Sequence, residues 1–122
     1  MSYEVLWEPD GVVKRFHGCL SREDWLSAHR AVTEDPRLDS SKWVINDFSD
    51  VTSHNLTDDD LMTHTVESIG VSVYLPSIRG ALVACSKPTL SLCRRIESPE
   101  YATPHESRIF QTMDEARAWL QG

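Results

Sequence analysis

Two apolar runs, Trp43-Val-Ile45 and Ala81-Leu-Val-Ala84, narrow the choice of fold more than any other feature of this 122-residue chain. Neither alternates with polar residues, so each reads as a strand covered on both faces, the habit of parallel strands in α/β proteins. The first run lies in a strand predicted over Lys42 to Phe48, and the second in one over Arg79 to Cys85. A helix start follows each: Thr57-Asp-Asp-Asp60 after the first, Ser86-Lys-Pro88 after the second. Hydroxyl caps accept from free backbone N–H groups, and carboxylates in the first turn suit the positive helix end. A proline at the first helical position loses only a donor that had no partner.

The flanking segments complete the pattern. Tyr3, Val5 and Trp7 alternate with Glu4 and Glu8, Pro9-Asp10-Gly11 supplies a turn, and Val12 to His17 reads as the returning strand, ended by Gly18 and Cys19. Ser21 and Asp24 resemble a capping box, and Trp25, Ala28, His29 and Val32 follow at helical spacing until Asp35-Pro36. Met62, Val66, Ile69 and Val73 are expected to line the core face of the helix that begins at Thr57 and ends before Pro76. The third helix runs to about Glu97, with Leu92 and Ile96 on one face. Residues 98–107 form a polar loop, Arg108 to Gln111 a short strand, and Thr112 to Glu115 the capping box of a last helix. The order β-β-α-β-α-β-α-β-α predicts one α/β domain over residues 1–122, a mostly parallel mixed sheet flanked by helices.

A net charge of -7 opposes nonspecific nucleic-acid binding, which needs clustered cations, and leaves at most peripheral contact with an anionic membrane. No segment combines basic residues with a long apolar run, so the expected location is the cytoplasm. Cys19, Cys85 and Cys93 have no metal-like spacing and are expected to be reduced core thiols.

The chain resembles the SpoIIAA-like, STAS-related family of small bacterial proteins. The resemblance rests on residues 3–11, Asp35-Pro-Arg37, Trp43-Val-Ile-Asn-Asp-Phe-Ser-Asp-Val51, residues 79–84, and Arg108-Ile-Phe through Ala118-Trp-Leu120. It implies a STAS-like fold without enzymatic activity. Anti-sigma-factor antagonists of that group carry Asp-Ser-Ser-Gly at the start of the helix after the central strand, the second serine accepting a phosphoryl group. Here Asn55-Leu-Thr57-Asp58 stands in that place, which puts Thr57 at the phosphoacceptor position without the preceding serine or the glycine. Asp58 to Asp60 would repel a phosphate there. The comparison of such proteins with CRAL-TRIO lipid-transfer domains also implies a small apolar ligand.

In open α/β sheets, ligands sit beyond the carboxyl ends of strands where connections diverge. That rule points to a cleft formed by Asp47, Ser49, Asp50, Thr52, Ser53, His54 and Thr57 on one loop and Ser86 and Lys87 on the other. Met62, Val66 and Ile69 are candidate pocket lining, and Tyr74, Leu75 and Ile78 a candidate flap around Pro76. His54 and His64 lack the spacing of a helical metal site, no cofactor motif is present, and both read as exposed histidines. His17 and His29 are placed at element edges.

The leading expectation is a non-enzymatic regulatory or small-ligand-binding module. The alternatives are apolar-ligand or lipid binding at a membrane surface, and a protein-interaction module using helix two with Arg94-Arg95, whose partner is another protein or a second copy. An enzyme using Asp47, His54 and Thr57 ranks last, because no nucleophile motif accompanies them.

Overall fold

Pro9 and Asp10 make the two-residue turn of the opening hairpin, closed by Glu8 N–H donating to the Gly11 carbonyl at 2.8 Å. The computed structural model describes residues 2–122. Strands β1 (Tyr3–Trp7) and β2 (Gly11–Leu20) lead into α1 (Arg22–Thr33) and a 3₁₀ turn (Pro36–Ser40). Then come β3 (Trp43–His54), α2 (Asp58–Tyr74), β4 (Arg79–Val83), α3 (Lys87–Ile96), β5 (Ser107–Phe110) and α4 (Met113–Gln121). The five strands stand in space in chain order, β1-β2-β3-β4-β5. β1 is antiparallel to β2, and every later pair is parallel.

That order decides where the helices go. Each parallel connection steps to the next strand in the same direction, so right-handed crossovers deliver α1, α2 and α3 to one face. On that face Phe16, Trp25, Phe48, Leu61, Leu82 and Leu92 form the main core. Phe16 and Phe48 stack with centroids 5.4 Å apart, and Trp25 lies 5.7 Å from Phe16. The other face is covered by α4, whose Ala116 packs with Val13, Trp43, Ile45, Ala81 and Val83. Gly11 belongs to this second layer, because a Cβ there would run into the Trp43 ring and carbonyl.

The central strands are longer than the sequence pattern predicts. β2 continues through Gly18 to Leu20, and β3 through Phe48 to His54. Register shifts fall between Arg15 and His17 and between Gly18 and Cys19, and Gly18 has φ +62°. A bulge with glycine in the left-handed region lets a strand bend and go on pairing, so Gly18 does not end it.

Helix α2 is turned relative to expectation. It buries Leu61, Thr65 and Ser68, while Met62, Val66, Ile69, Val73 and Tyr74 are exposed. Tertiary partners explain the rotation: the Thr65 hydroxyl donates to the Tyr101 carbonyl at 2.9 Å, and the His64 ring stacks on Trp25 with centroids 4.4 Å apart. Of the cysteines only Cys93 is buried, with Cys19 and Cys85 exposed, so two of the expected core thiols are surface groups.

Candidate functional site

The residues predicted to form a cleft do share one end of the sheet, where the Cys85 thiol lies 3.6 Å from the Ser49 carbonyl. Most of their polar groups already have partners within the protein. Asp47 is buried, paired with Arg15 at 3.4 Å, and accepts from both the Ser49 N–H and the Ser49 hydroxyl at 3.0 and 2.6 Å. Asp50 stands 3.7 Å from His17, and His54 Nδ1 accepts from Leu56 N–H at 3.2 Å. Burial and the nearby Arg95 lower the His54 pKa. Thr52 and Ser53 are exposed on the extended β3.

Thr57 caps α2 in a reciprocal box with Asp60, which also pairs with Arg22 at 2.8 Å. Ser86 caps α3 with Thr89, and Lys87 is an exposed residue in the first turn of that helix. Asp58 pairs with Arg95 at 2.7 Å. Sequential strand order provides no pair of diverging connections of the kind that opens a crevice in other open sheets.

A different concavity lies under α1 and α2, over the middle and the N-terminal ends of the parallel strands. It has a volume of about 130 Å³. Lys14, Asn46 and Leu82, neighbours across β2, β3 and β4, form its floor with Val44, Gly80 and Ser107. α1 contributes Trp25, His29 and Val32, and α2 contributes His64, Ser68 and Val71. Ile96 and Glu97 from the end of α3, and Tyr101, Thr103 and His105 from the loop before β5, close the remaining wall. Of the proposed flap, Ile78 is buried and lines the cavity, and the Leu75 carbonyl accepts from His105 Nε2–H at 2.9 Å. Met62, Val66, Ile69 and Tyr74 are not among the lining residues, because the rotation of α2 sends them outward.

The polar groups of this cavity are not used up locally. Lys14 is 3% exposed, and among the described residues no carboxylate lies within ion-pair distance of its ammonium; burial alone pulls its pKa down to about 7. Trp25 Nε1, His29 Nε2, His64 Nε2 and Asn46 Oδ1 are shut off from solvent and have no hydrogen-bond partner. The two imidazoles are 4.3 Å apart, centroid to centroid. Burial, then the neighbouring Lys14, drives the His29 pKa down to about 3, and burial, His29 and Lys14 take His64 well below the usual histidine value. Both rings are therefore neutral near pH 7. Burial raises the Glu97 pKa, opposed in part by the Ser107 side chain.

Buried unsatisfied polar atoms are rare because each costs about 1–3 kcal/mol. Four such atoms belong to residues that line this one cavity.

The sequence pattern places His29 at an element edge and His64 in solvent and assigns Lys14 no role, whereas all three line the cavity. Lys14 does carry a sequence signal: Val12, Lys14 and Phe16 share one face of β2 by the period of two, and both neighbours are fully buried. Among the described residues, no group of three or more His, Cys, Asp or Glu side chains is placed to hold a metal ion, and no helix is long and apolar enough to cross a membrane.

No family model and no curated protein sequence matches the chain. Solved structures do. The anti-sigma factor antagonist SpoIIAA in its unphosphorylated form superposes with TM-score 0.64 at 13% identity, covering 98% of each chain. SpoIIAA of Bacillus in the phosphorylated form gives 0.62 at 10%, over 97% of this chain and 98% of the other. An uncharacterised DUF3478 protein with a SpoIIAA-like fold from Shewanella loihica PV-4 gives 0.58 at 16%, over 97% and 91%. The chain has the SpoIIAA-like, STAS-type fold.

Proposed function

We propose that this protein is a non-enzymatic regulatory module of STAS type that works by binding a small ligand in the cavity under α1 and α2. One observation carries the reading: five polar side chains from β2, β3, α1 and α2 line the cavity, where Lys14 has no counter-ion and Trp25, His29, Asn46 and His64 each bring an atom without a hydrogen-bond partner. Natural cores seldom leave such a cluster unsatisfied, and a ligand that supplied partners would recover its cost. The size suits a compact molecule. A cavity of roughly 150 Å³ takes up one benzene, whereas drug-sized pockets begin near 300 Å³. A phospholipid or long-chain acyl ligand is thereby disfavoured.

The Trp25 indole N–H gives a direct test. In ¹H–¹⁵N spectra, compact aromatic and branched aliphatic compounds should shift the Trp25 indole resonance and the amides of residues around His29, His64 and Asn46. A panel that leaves all of these unmoved would overturn the proposal.

A second reading is favoured by the outer face of α2, where Met62, Val66, Ile69 and Val73 are exposed at spacings of four, three and four. Such a seam fits a protein partner, and SpoIIAA itself is described as an anti-sigma factor antagonist. Sedimentation of the wild type beside a Val66→Lys, Ile69→Lys double variant tests pairing with a second copy. Identical monomeric behaviour of the two across the accessible concentration range would exclude self-pairing. The readings share α2, whose inner side lines the cavity and whose outer side carries the seam.

A further inference from the structure

We infer that the ligand of this cavity is a small monocarboxylate with a compact apolar body, whose carboxylate supplies the counter-charge that Lys14 lacks. This inference rests on the ligand-binding reading and adds the chemical class to it.

The donor inventory leads there. Lys14 brings an ammonium and Trp25 an indole N–H that can only donate, while the unpartnered Nε2 atoms of His29 and His64 donate in one tautomer and accept in the other. Among the described residues the Asn46 amide oxygen is the one buried side-chain atom that can only accept and has no partner, and an amide can turn its nitrogen to the same place. A cavity so weighted toward donors and positive charge is complemented by an acceptor-rich anion. The remaining walls set the rest of the molecule: Val32, Leu38, Val44, Val71, Ile78 and Ile96 surround the polar end with hydrocarbon. An inorganic anion would leave those walls bare, and a neutral hydrocarbon would leave the donors bare. One formal negative charge matches one lysine.

The titratable groups on the walls are Lys14 from β2, His29 from α1, His64 from α2, Glu97 at the end of α3, and Tyr101 and His105 from the loop before β5. Glu97 lines the same cavity, but among the described residues it forms no ion pair with Lys14. With Lys14 held near pKa 7 by burial, the free protein is about half protonated at neutral pH, and an arriving carboxylate draws a proton onto the amine.

Calorimetric titration of the wild type with benzoate, benzyl alcohol and inorganic phosphate provides the test. Benzoate should bind at least about tenfold more tightly than either of the others at pH 7. At pH 8, titrations in buffers of different ionisation enthalpy should show uptake of close to one proton, and above pH 8 the affinity should fall about tenfold per pH unit. Lys14→Met should abolish the preference for benzoate while benzyl alcohol still enters. Benzyl alcohol binding as well as benzoate, phosphate binding as well as benzoate, or benzoate binding at pH 8 without proton uptake would overturn the carboxylate assignment and leave the cavity as a ligand site. If neither benzoate nor benzyl alcohol perturbs the Trp25 indole resonance, the cavity reading falls with it.

Discussion

The far end of β3 and the cavity under α1 are both rich in polar side chains, yet they are wired in opposite ways. Around Asp47, Ser49, Thr57 and Ser86 the hydroxyls cap helices or close short loops within a few residues of themselves, and the carboxylates add ion pairs to Arg15, Arg22 and Arg95. In the cavity, groups far apart in the chain are gathered with few partners: Lys14, His29, Asn46 and His64 come from four different elements. Local satisfaction is cheap to build and easily read from short motifs, whereas polarity gathered over long range and left unpaired costs stability. The second pattern therefore says more about use than the first.

The sharpest way to break this contrast is to remove the ring that bridges core and cavity. Trp25→Ala should cost about 3–5 kcal/mol in chemical denaturation, as a large buried aromatic does. A loss below about 1 kcal/mol would mean that the stack with Phe16, Phe48 and His64 is not formed.

The next largest effect has the opposite sign. Lys14→Met should stabilise the protein by roughly 1–3 kcal/mol at pH 7, because a buried amine whose charge meets only the Trp25 ring face, 5.7 Å to its centroid, and no counter-ion is replaced by hydrocarbon. The same residue sets a pH dependence. Lys14 gives up its proton near pH 7 in the folded state and near 10.5 when unfolded, so between those values the unfolded chain holds the extra proton. Stability should climb from pH 7 to 9 with a slope approaching about 1.4 kcal/mol per unit. Above pH 9 the climb is opposed by Cys93, whose thiol is pushed up to about 12 in the fold by burial, then by Glu97. A wild type whose midpoint is flat from pH 7 to 9, or a Lys14→Met variant that keeps the rise, would show that the amine is not buried as described.

At the self-satisfied end the effects shrink. Thr57→Ala removes one cap and should cost about 1 kcal/mol without altering ligand binding in the cavity. A change in cavity binding on that substitution would show that the two regions are coupled. The smallest effect belongs to the exposed stripe: Val66→Lys with Ile69→Lys should leave stability within about 0.5 kcal/mol. A loss of several kcal/mol would mean that α2 is seated the other way round.

That last variant also bears on what the sequence can disclose. The element order, the hairpin, the parallel strands and the capped starts of α2, α3 and α4 are legible because each rests on local chemistry: turn residues, caps and runs without polar interruption. The extension of β2 through Gly18 is not, since a glycine that ends a strand and one that bulges it look alike in sequence. The inner face of α2 is misjudged for a physical reason. Apolar residues at helical spacing normally face the core, but Thr65 has a carbonyl to meet and His64 a tryptophan, so the polar side turns in. The cavity stays hidden for the same reason. Its chemistry belongs to no single segment, and only the strand register sets Lys14 beside Asn46.

The neighbour-by-neighbour order of the strands bears on how the chain comes together. Each new strand can dock on the edge left by the one before it, with no need to wait for a distant segment to be inserted between two others. Assembly can then proceed along the chain as it leaves the ribosome, each crossover joining strands that are consecutive in sequence. β5 and α4 would join last, so a nascent chain stalled before Ser107 should already protect the amides of β2 and β3 from exchange.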